Sequence, residues 1–344
     1  MRLRPLAATA ALLIAGGALV ACGSDEEPAS SGSDGSAPAG GSAFPVTVEH
    51  RLGETVIEEQ PERVVVVGLT EQDILLELGV TPVAVTEWYG EQPFATWPWA
   101  QDLLGDAEPE VLSQADGIEF EKIATLEPDL IIGTNSGMTK KDYELLSAIA
   151  PTVTNVKGST PYFSPWQDQV LQVARSLGRE DDGQALVDEV EGEYAAVREA
   201  HPEWEGRTAT FSQGGPYDGI LYVYPDGLST SFLTDLGFTM TEGLDGYAPD
   251  IGSQAEISAE NTNLLEADVV VFATEDADMF DQLQDFGTIG TLPAVTEGRT
   301  VYTDGTLAGA LYFLTPLSLE YALERLTPML EQATAGEAPR AYPS

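Results

Sequence analysis

The sequence has very few residues that could hold a bare metal ion or act as a nucleophile. It contains one cysteine, Cys22, and two histidines, His50 and His201, in 344 residues. Two imidazoles this far apart and one thiol cannot supply a zinc, manganese or iron–sulfur site, nor an intrachain disulfide. We therefore predict no metal bound by protein ligands and no resident cofactor.

Basic residues are also scarce. Fifteen Lys and Arg stand against 57 Asp and Glu, which gives a formal net charge of −42. A field of this sign disfavours nucleic acid and anionic lipid surfaces as partners. The alternative interpretation of the charge is simply a solvated acidic coat on an extracytoplasmic protein.

Sequence motifs of the common enzyme classes are missing. There is no G-x-S-x-G elbow, no phosphate loop, no H-E-x-x-H and no G-x-G-x-x-G after a strand. We therefore predict that the chain is not an enzyme. The remote alternative, a surface enzyme, would have to draw on acids such as Asp218 and Asp276.

The N-terminus has the layout of a secretory signal. Arg2 and Arg4 precede the uncharged run LAATAALLIAGGALVA, and LVACG follows at residues 19–23. That pentapeptide resembles the lipobox of bacterial lipoproteins, which implies a signal peptide over 1–21 and a lipid on Cys22; a chance cysteine is the alternative. Residues 22–44 are rich in Gly, Ser, Ala and Pro and predict a flexible tether. The expected location is outside the cytoplasm, anchored to the cell membrane.

The remaining chain predicts an α/β protein of two lobes, each a mostly parallel sheet with flanking helices, joined by a long rigid helix. In the first lobe, 45–163, the run RVVVV, the helix EQDILLEL and the strand TPVAVT form a βαβ unit. A helical spine is predicted over 164–206, beginning with a capping box between Ser164 and Gln167. The second lobe, 207–344, repeats the plan, and a cleft should lie between the lobes.

Aromatic residues cluster where strands of both lobes are predicted to end. Large aromatic side chains on loops need either a core to fill or an apolar ligand to cover. We predict that they contact a bulky ligand, although Trp97 and Trp99 flank Pro98 and inward packing is the alternative for them. The predicted ligand-binding residues are Trp88, Tyr89, Trp97, Trp99, Trp166, Tyr217 and Tyr222.

A short internal repeat, the acidic repeat, supports two halves built on one template. Glu121 and Asp129 are eight residues apart, as are Glu260 and Asp268, with similar residues between them. Glutamates in the first turn of a helix complement its dipole. Alternatively, Glu121 and Glu260 form a matched pair of anionic docking residues, one on each lobe.

Taken together, several stretches make the chain resemble the substrate-binding lipoproteins of iron-siderophore ABC importers, a group that includes haem- and cobalamin-binding proteins. The resemblance implies two α/β lobes joined by one rigid helix and a ligand held between them. It also implies that Glu121 and Glu260 contact arginines of a dimeric permease. We expect the protein to act as a monomer. The stretches are PERVVVVGLTEQDILLELGVTPVAV, FEKIATLEPDLIIG, SGMTKKDYELLSAIAPTV, SPWQDQV, ISAENTNLLEADVVV, LPAVTEGRTVY and TPLSLEYALERL.

The ligand is predicted from charge. No basic residue occurs in the predicted strand-end segments 68–71, 86–101, 212–219, 274–280 and 303–312. A highly anionic chelate would meet few counter-charges there. We therefore predict a neutral or cationic ferric hydroxamate of the ferrioxamine kind, with Fe(III) ligated entirely by the chelator. The alternative is haem or a corrinoid, with Tyr217 or Tyr222 as an iron ligand.

Overall fold

The structure is a computed structural model that describes residues 43–162, 164–250 and 253–343. The predicted signal peptide, the lipidation site Cys22 and all but the end of the predicted tether lie outside the described residues. Over the described ranges, no helix is both long and apolar enough to cross a bilayer.

The N-terminal lobe is built on a five-stranded, all-parallel sheet in the order β5-β4-β3-β6-β7. An antiparallel hairpin of β1 and β2 precedes it, as the alternation over 46–57 predicts. The strands are β1 (Val46–His50), β2 (Gly53–Ile57), β3 (Val64–Val66), β4 (Ala84–Thr86), β5 (Glu110–Leu112), β6 (Leu130–Gly133) and β7 (Thr152–Thr154). The helices are α1 (Glu71–Glu77), α2 (Pro98–Leu104), α3 (Phe120–Thr125) and α4 (Lys140–Ser147).

The continuous apolar run of β3 is explained by burial on both faces of the sheet. Val64 and Val66 pack into the core shared with the spine, whereas Val65 and Val67 pack into a second core on the opposite face. Successive side chains of a strand point to opposite faces, so a strand covered on both sides needs an apolar residue at every position.

The spine consists of two helices, α5 (Trp166–Ser176) and α6 (Glu180–Ala200). Gly178 lies between them with a φ of +66°, which ends α5. The predicted capping box is wrong. Pro165 is the N-cap of α5 and supplies no side-chain acceptor, while Ser164 lies one position outside, where its backbone carbonyl accepts a hydrogen bond from Gln169.

The C-terminal lobe contains a mixed sheet in the order β11-β9-β8-β12-β13, with β10 paired to β8. Its strands are β8 (Thr208–Tyr217), β9 (Ile220–Tyr224), β10 (Thr239–Met240), β11 (Ala255–Ser258), β12 (Val269–Ala273) and β13 (Thr300–Tyr302). Three of the five strand pairs are parallel, but β8–β9 and β9–β11 are antiparallel. The second lobe therefore does not simply repeat the first.

The antiparallel hairpin follows from a two-residue turn. Asp218 and Gly219 both have positive φ, at 48° and 78°, and a turn of this kind joins adjacent antiparallel strands. An Asp-Gly pair between two strand-like runs is a strong hairpin signal in the sequence.

One apolar helix of this lobe, Gly305–Phe313, was not predicted from the sequence. The helices are α7 (Ser231–Thr234), α8 (Ala277–Asp285), α9 (Pro293–Thr296), α10 (Gly305–Phe313) and α11 (Pro316–Ala335). Residues 303–312, expected as a strand-end segment, mostly form α10, which Asp304 caps by accepting a hydrogen bond from the Leu307 amide at 2.8 Å. Because α10 is buried around most of its circumference, its sequence shows no amphipathic period.

One apolar core runs continuously through both lobes and the spine. Val66 of β3, Val170 of α5, Val190 of α6, Phe211 of β8 and Leu319 of α11 all belong to it. The spine therefore packs against both lobes through a single core.

Candidate functional site

A cavity of about 620 Å³, the inner cavity, lies between the lobes and against the start of α5. Residues that follow strands line it, as expected at the carboxyl edge of α/β sheets. Its lining is mainly neutral. The carboxamides are Gln114, Asn135, Gln167, Gln169, Gln213 and Gln254; the aromatic residues are Trp88, Tyr162, Trp166, Tyr224, Tyr312 and Phe313; the serines are Ser164, Ser229, Ser231 and Ser253.

On the N-terminal side, buried Glu71 holds the loops that reach the cavity. Its carboxylate accepts hydrogen bonds from the Asn135 amide at 2.6 Å, the Thr134 hydroxyl at 2.9 Å and the Thr70 amide at 3.1 Å. Burial raises the pKa of Glu71, and these hydrogen bonds oppose that shift. Gly68 makes room for this arrangement, since a Cβ there would lie 2.1 Å from the Glu71 carboxylate oxygens. Glu71 is therefore a positioning residue for Asn135.

On the C-terminal side, hydrogen bonds join three polar residues, one on β8, one on β9 and one directly before β11. The Gln213 side-chain oxygen accepts hydrogen bonds from the Tyr224 hydroxyl and, at 2.7 Å, from the Gln254 side-chain amide. Tyr224 also stacks on Phe211, with ring centroids 5.0 Å apart. These contacts fix the orientation of the three polar side chains before any ligand binds.

Two of the predicted aromatic residues line the inner cavity. Trp88 is 37% exposed and Trp166 is 7% exposed. The ring of Trp88 lies 5.3 Å from that of Phe313, which belongs to the opposite lobe. The indole rings of Trp88 and Trp166 offer apolar faces to whatever occupies the cavity.

The other tryptophans of the predicted aromatic loop pack between the lobes. Trp97 and Trp99 are stacked with centroids 5.0 Å apart, and both meet Phe313 edge-on. The indole N–H of Trp99 donates to buried Asp73 at 2.7 Å, and Tyr89 lies 5.1 Å from Trp97. None of Tyr89, Trp97 and Trp99 is among the described lining residues of the inner cavity. Inward packing, the alternative for Trp97 and Trp99, is what the structure shows.

The two tyrosines predicted from the second lobe lie away from the inner cavity. Tyr217 is at the tip of the β8–β9 hairpin and is 75% exposed. Tyr222 is half-buried on β9, and Tyr224, two residues further along the same face, reaches the cavity instead. Of the predicted ligand-binding residues, Trp88 and Trp166 are therefore the two that we expect to contact a ligand in the inner cavity.

The inner cavity has no positive side chain among its described lining residues, and its one carboxylate is Asp235. Partial burial and repulsion from Glu191 raise the pKa of Asp235, and Arg198 opposes that shift. The scarcity of basic residues predicted for the strand ends is thus a property of the cavity itself.

A second, outer cavity of about 800 Å³ adjoins the inner one. Both cavities are lined by Pro165, Tyr224, Leu228, Ser229 and Ser253. The outer cavity carries Asp168, Asp226, Asp245 and Asp250, and its one basic residue among those described is Lys157.

The aspartates and the glutamates of the acidic repeat have different surroundings. Asp129 accepts hydrogen bonds from the backbone amides of Glu62 and Arg63, and Asp268 accepts them from the amide and hydroxyl of Thr208. These aspartates bind the start of the neighbouring strand in each lobe, which explains their equivalent positions.

The glutamates of the acidic repeat, by contrast, are exposed. Glu121 is in the first turn of α3, and Glu260 is in the first turn of a 3-10 helix, Ala259–Leu265. Neither carboxylate has a side-chain hydrogen bond or ion pair within the described ranges. Both are therefore available to an external partner.

Several cavity residues were missed by sequence analysis. Tyr312, Phe313 and Leu314 reach the cavity because α10 brings them there, and the Asp304 cap before an apolar run was the available signal. The glutamines, including Gln213 and Gln254, gave no signal because neutral carboxamides are common surface residues.

The two acids considered as catalytic residues, Asp218 and Asp276, lie in a turn and at a helix cap. Asp218 occupies the hairpin turn, and Asp276 caps α8 by accepting a hydrogen bond from the Met279 amide at 2.7 Å. Across the part of the chain that the structure describes, no group of three or more His, Cys, Asp or Glu is placed to hold a metal ion.

Comparison with known proteins gives a consistent result. A family model described as periplasmic binding protein matches residues 64–307. The probable siderophore-binding lipoprotein YfiY of Bacillus subtilis is 30% identical over 241 residues, which cover 67% of this chain and 70% of that protein. The iron(3+)-hydroxamate-binding protein FhuD of the same organism is 28% identical over 330 residues, 93% of this chain and 95% of that one.

The fold agrees with a solved structure. A periplasmic solute binding protein from Mycobacterium smegmatis superposes with a TM-score of 0.77 at 37% sequence identity, covering 84% of this chain and 98% of that one. The similarity therefore extends over both lobes and the helical spine.

Proposed function

The chain belongs to the periplasmic binding protein family, and from that premise we propose that it captures a ferric siderophore and presents it to an ABC permease. The chelate we propose is a neutral or cationic hydroxamate of the ferrioxamine kind. In this role the protein binds its ligand and performs no chemistry on it, and the chelator supplies all ligands to Fe(III).

The observation that carries the proposal is the neutral lining of the inner cavity. Carboxamides, hydroxyls and aromatic rings line it, together with one carboxylate and no described basic residue. A tricatecholate or carboxylate chelate of high negative charge would be desolvated there without a counter-charge, which is costly. A neutral hydroxamate chelate avoids that penalty, a cationic one meets a carboxylate of opposite charge at Asp235, and the amide groups of either match the carboxamides. The family alone does not specify the ligand.

Delivery to the permease is proposed to use the two exposed glutamates. Glu121 and Glu260 occupy equivalent positions, one on each lobe, and have no partner within the described residues. A pair of arginines on two permease subunits would match them by charge. Lipidation at Cys22 would keep the protein at the membrane surface, and a monomer is sufficient for this role.

The proposal is tested by titrating the purified protein with ferrioxamine B and with a ferric tricatecholate. Because Trp88 and Trp166 line the inner cavity, binding of an iron chelate should quench tryptophan fluorescence. We expect saturable quenching by ferrioxamine B and at least about 100-fold weaker binding of the tricatecholate, roughly 2.7 kcal/mol. A clear preference for the tricatecholate would overturn the charge argument.

A pair of variants locates the ligand. Trp88→Ala removes an aromatic face of the inner cavity and should weaken ferrioxamine B binding about 10- to 100-fold. Tyr217→Ala removes an exposed ring outside that cavity and should leave binding unchanged. If the two variants were affected equally, the ligand would not occupy the inner cavity.

Haem or corrinoid capture remains the second candidate, and the described tyrosines do not favour it. Tyr217 and Tyr222, the predicted iron ligands, do not line the inner cavity. Tyr224 does, but its hydroxyl donates to Gln213 and burial raises its pKa, which disfavours the phenolate that would ligate iron. A Soret band that shifts on adding haem to the protein would favour this candidate over the siderophore.

A further inference from the structure

Gln213 lies at the point where the parallel part of the C-terminal sheet ends. Its backbone pairs with Ala273, the last residue of β12, and the register with β9 shifts between Gln213 and Tyr217. Gln213 and Phe211 are two residues apart on β8, so their side chains are on the same face of the sheet. Phe211 belongs to the core shared with the spine, and Gln213 lines the inner cavity at the edge of that core.

Two hydrogen bonds fix the orientation of the Gln213 carboxamide. Its oxygen Oε1 accepts from the Tyr224 hydroxyl and, at 2.7 Å, from Nε2 of Gln254. A carboxamide oxygen has two lone pairs, and these two donors use both of them. The two N–H groups on Nε2 of Gln213 have no acceptor among the described residues. Gln213 therefore has two donors, and no acceptor, to offer a ligand.

The other five carboxamides of the inner cavity lack this combination. Four of them already donate a side-chain N–H to a protein oxygen: Gln169 to the Ser164 carbonyl at 3.1 Å, Asn135 to Thr70 Oγ1 at 3.3 Å, Gln167 to Glu191 Oε1 at 3.0 Å, and Gln254 to Gln213. The fifth, Gln114, is exposed, and no described hydrogen bond fixes its side chain. Gln213 is thus the described carboxamide of this cavity that is held in place and has both N–H groups free.

A ferric hydroxamate chelate needs donors of this kind. Each hydroxamate group binds Fe(III) through two oxygens, which carry the negative charge of the deprotonated group and still accept hydrogen bonds. Water donates to these oxygens in solution, and burial in a cavity is costly unless a protein donor replaces that water. The described lining of the inner cavity has no basic side chain that could do so.

We infer that Nε2 of Gln213 donates hydrogen bonds to the iron-bound oxygens of the chelate, in the role that a basic side chain would otherwise have. This inference rests on the proposed function. Tyr224 and Gln254 are positioning residues for this contact, because they hold the oxygen of Gln213 away from the chelate. A neutral donor satisfies the oxygens of an uncharged chelate but leaves the excess charge of an anionic one uncompensated. Gln213 would therefore contribute to the selection of ligands by charge.

The test measures binding of N-acetyl-ferrioxamine B, a neutral ferric hydroxamate, by tryptophan quenching of the purified protein. Gln213→Met keeps the length of the side chain without its donors, and should weaken binding about tenfold. Gln213→Glu still accepts from Tyr224 and Gln254 but offers the chelate only acceptors, and should weaken binding about 30-fold or more. The matched control, Gln60→Glu, makes the same change at an exposed residue outside the inner cavity and should bind as the wild type does.

An absorption spectrum distinguishes hydrogen-bond donation from an effect on cavity shape. Charge transfer from the hydroxamate oxygens to Fe(III) gives the chelate a visible band, and hydrogen bonds to those oxygens stabilise their lone pairs. The band of the chelate bound to the wild type should therefore lie at shorter wavelength than that of the chelate bound to Gln213→Met.

Tyr224→Phe tests the positioning role. It removes one of the two donors that hold the Gln213 oxygen, and should weaken binding of the neutral chelate about threefold. In a Gln213→Met background the same change should cause no further loss, because residues that act through one contact are not additive. A full additional loss in that background would contradict the positioning role.

Three results would overturn the inference and leave the proposed function intact. The first is wild-type affinity in Gln213→Met or Gln213→Glu, which would mean that residue 213 supplies no donor to the chelate. The second is weaker binding by Gln213→Met with an unchanged absorption band, which would assign Gln213 to the shape of the cavity. The third is an equal loss in Gln60→Glu, which would be an effect of overall charge. If the wild type binds no ferric hydroxamate, the proposed function fails and this inference fails with it.

Discussion

Replacing Asp73 by asparagine should flatten the pH dependence of folding stability. Asp73 lies on α1 and is fully buried. One carboxylate oxygen accepts hydrogen bonds from Trp99 Nε1 and Thr315 Oγ1, both at 2.7 Å, and the other has no partner among the described residues. Because Thr315 caps α11 in the opposite lobe, this carboxyl group links the two lobes.

The sign and size of the effect follow from its pKa. Burial raises the pKa of Asp73 from 3.8 to about 6, and the hydrogen bonds from Trp99 and Thr315 oppose the shift. The folded state therefore holds the proton more tightly than the unfolded state. The stabilisation is complete below pH 3.8 and is lost as the pH rises through about 6. Between about pH 4.5 and 7.5 the loss amounts to roughly 2 kcal/mol.

Asp73→Asn keeps an oxygen acceptor for both donors and cannot ionise. Urea unfolding at several pH values should show that wild-type stability falls by roughly 2 kcal/mol more than that of the variant over this range. Glu77 and Glu320, whose pKa values burial raises to about 7, should account for pH dependence that remains closer to neutrality. Parallel pH profiles for wild type and variant would refute the argument.

Three further expectations concern packing and delivery. Gly309→Ala should destabilise the protein by about 1–3 kcal/mol in urea unfolding, because the new Cβ would meet the Trp97 ring at 2.6 Å. Gly192→Ala should instead stabilise it by about 0.5–1 kcal/mol, since nothing lies within 4 Å of that position on α6. Glu121→Lys or Glu260→Lys should cut iron uptake by cells at least about tenfold without changing ferrioxamine B affinity, as charge reversal opposes docking on arginines.

The following results would contradict the expectations for the two glycines and the two glutamates. Wild-type stability of Gly309→Ala would mean that the aromatic packing around Gly309 gives way at no cost, and a loss of stability in Gly192→Ala would contradict the open space at that position. Normal iron uptake by a Glu121→Lys/Glu260→Lys double variant would leave both exposed glutamates with no role in docking.

Local patterns in the sequence predicted most of the elements. The all-apolar run at 63–67 became β3, the alternation at 46–57 became the hairpin, and the face of Val190 and Tyr194 became the packed side of α6. Two errors came from local signals that compete. Pro165 took the N-cap position expected for Ser164, and the Asp218–Gly219 turn made an antiparallel pair where a repeat of the first lobe was expected.

The sequence by itself determined the two-lobed α/β class, the helical spine and the scarcity of positive charge at the strand ends. Each of these depends on the period of apolar residues or on composition, which are local properties. Only the tertiary structure decided which aromatic rings face the cavity. Trp88 and Trp97 lie on the same loop, yet one lines the cavity and the other packs beneath α10. That choice depends on how α10 of the distant C-terminal lobe meets the loop, because side-chain burial is set by contacts between segments far apart in the chain.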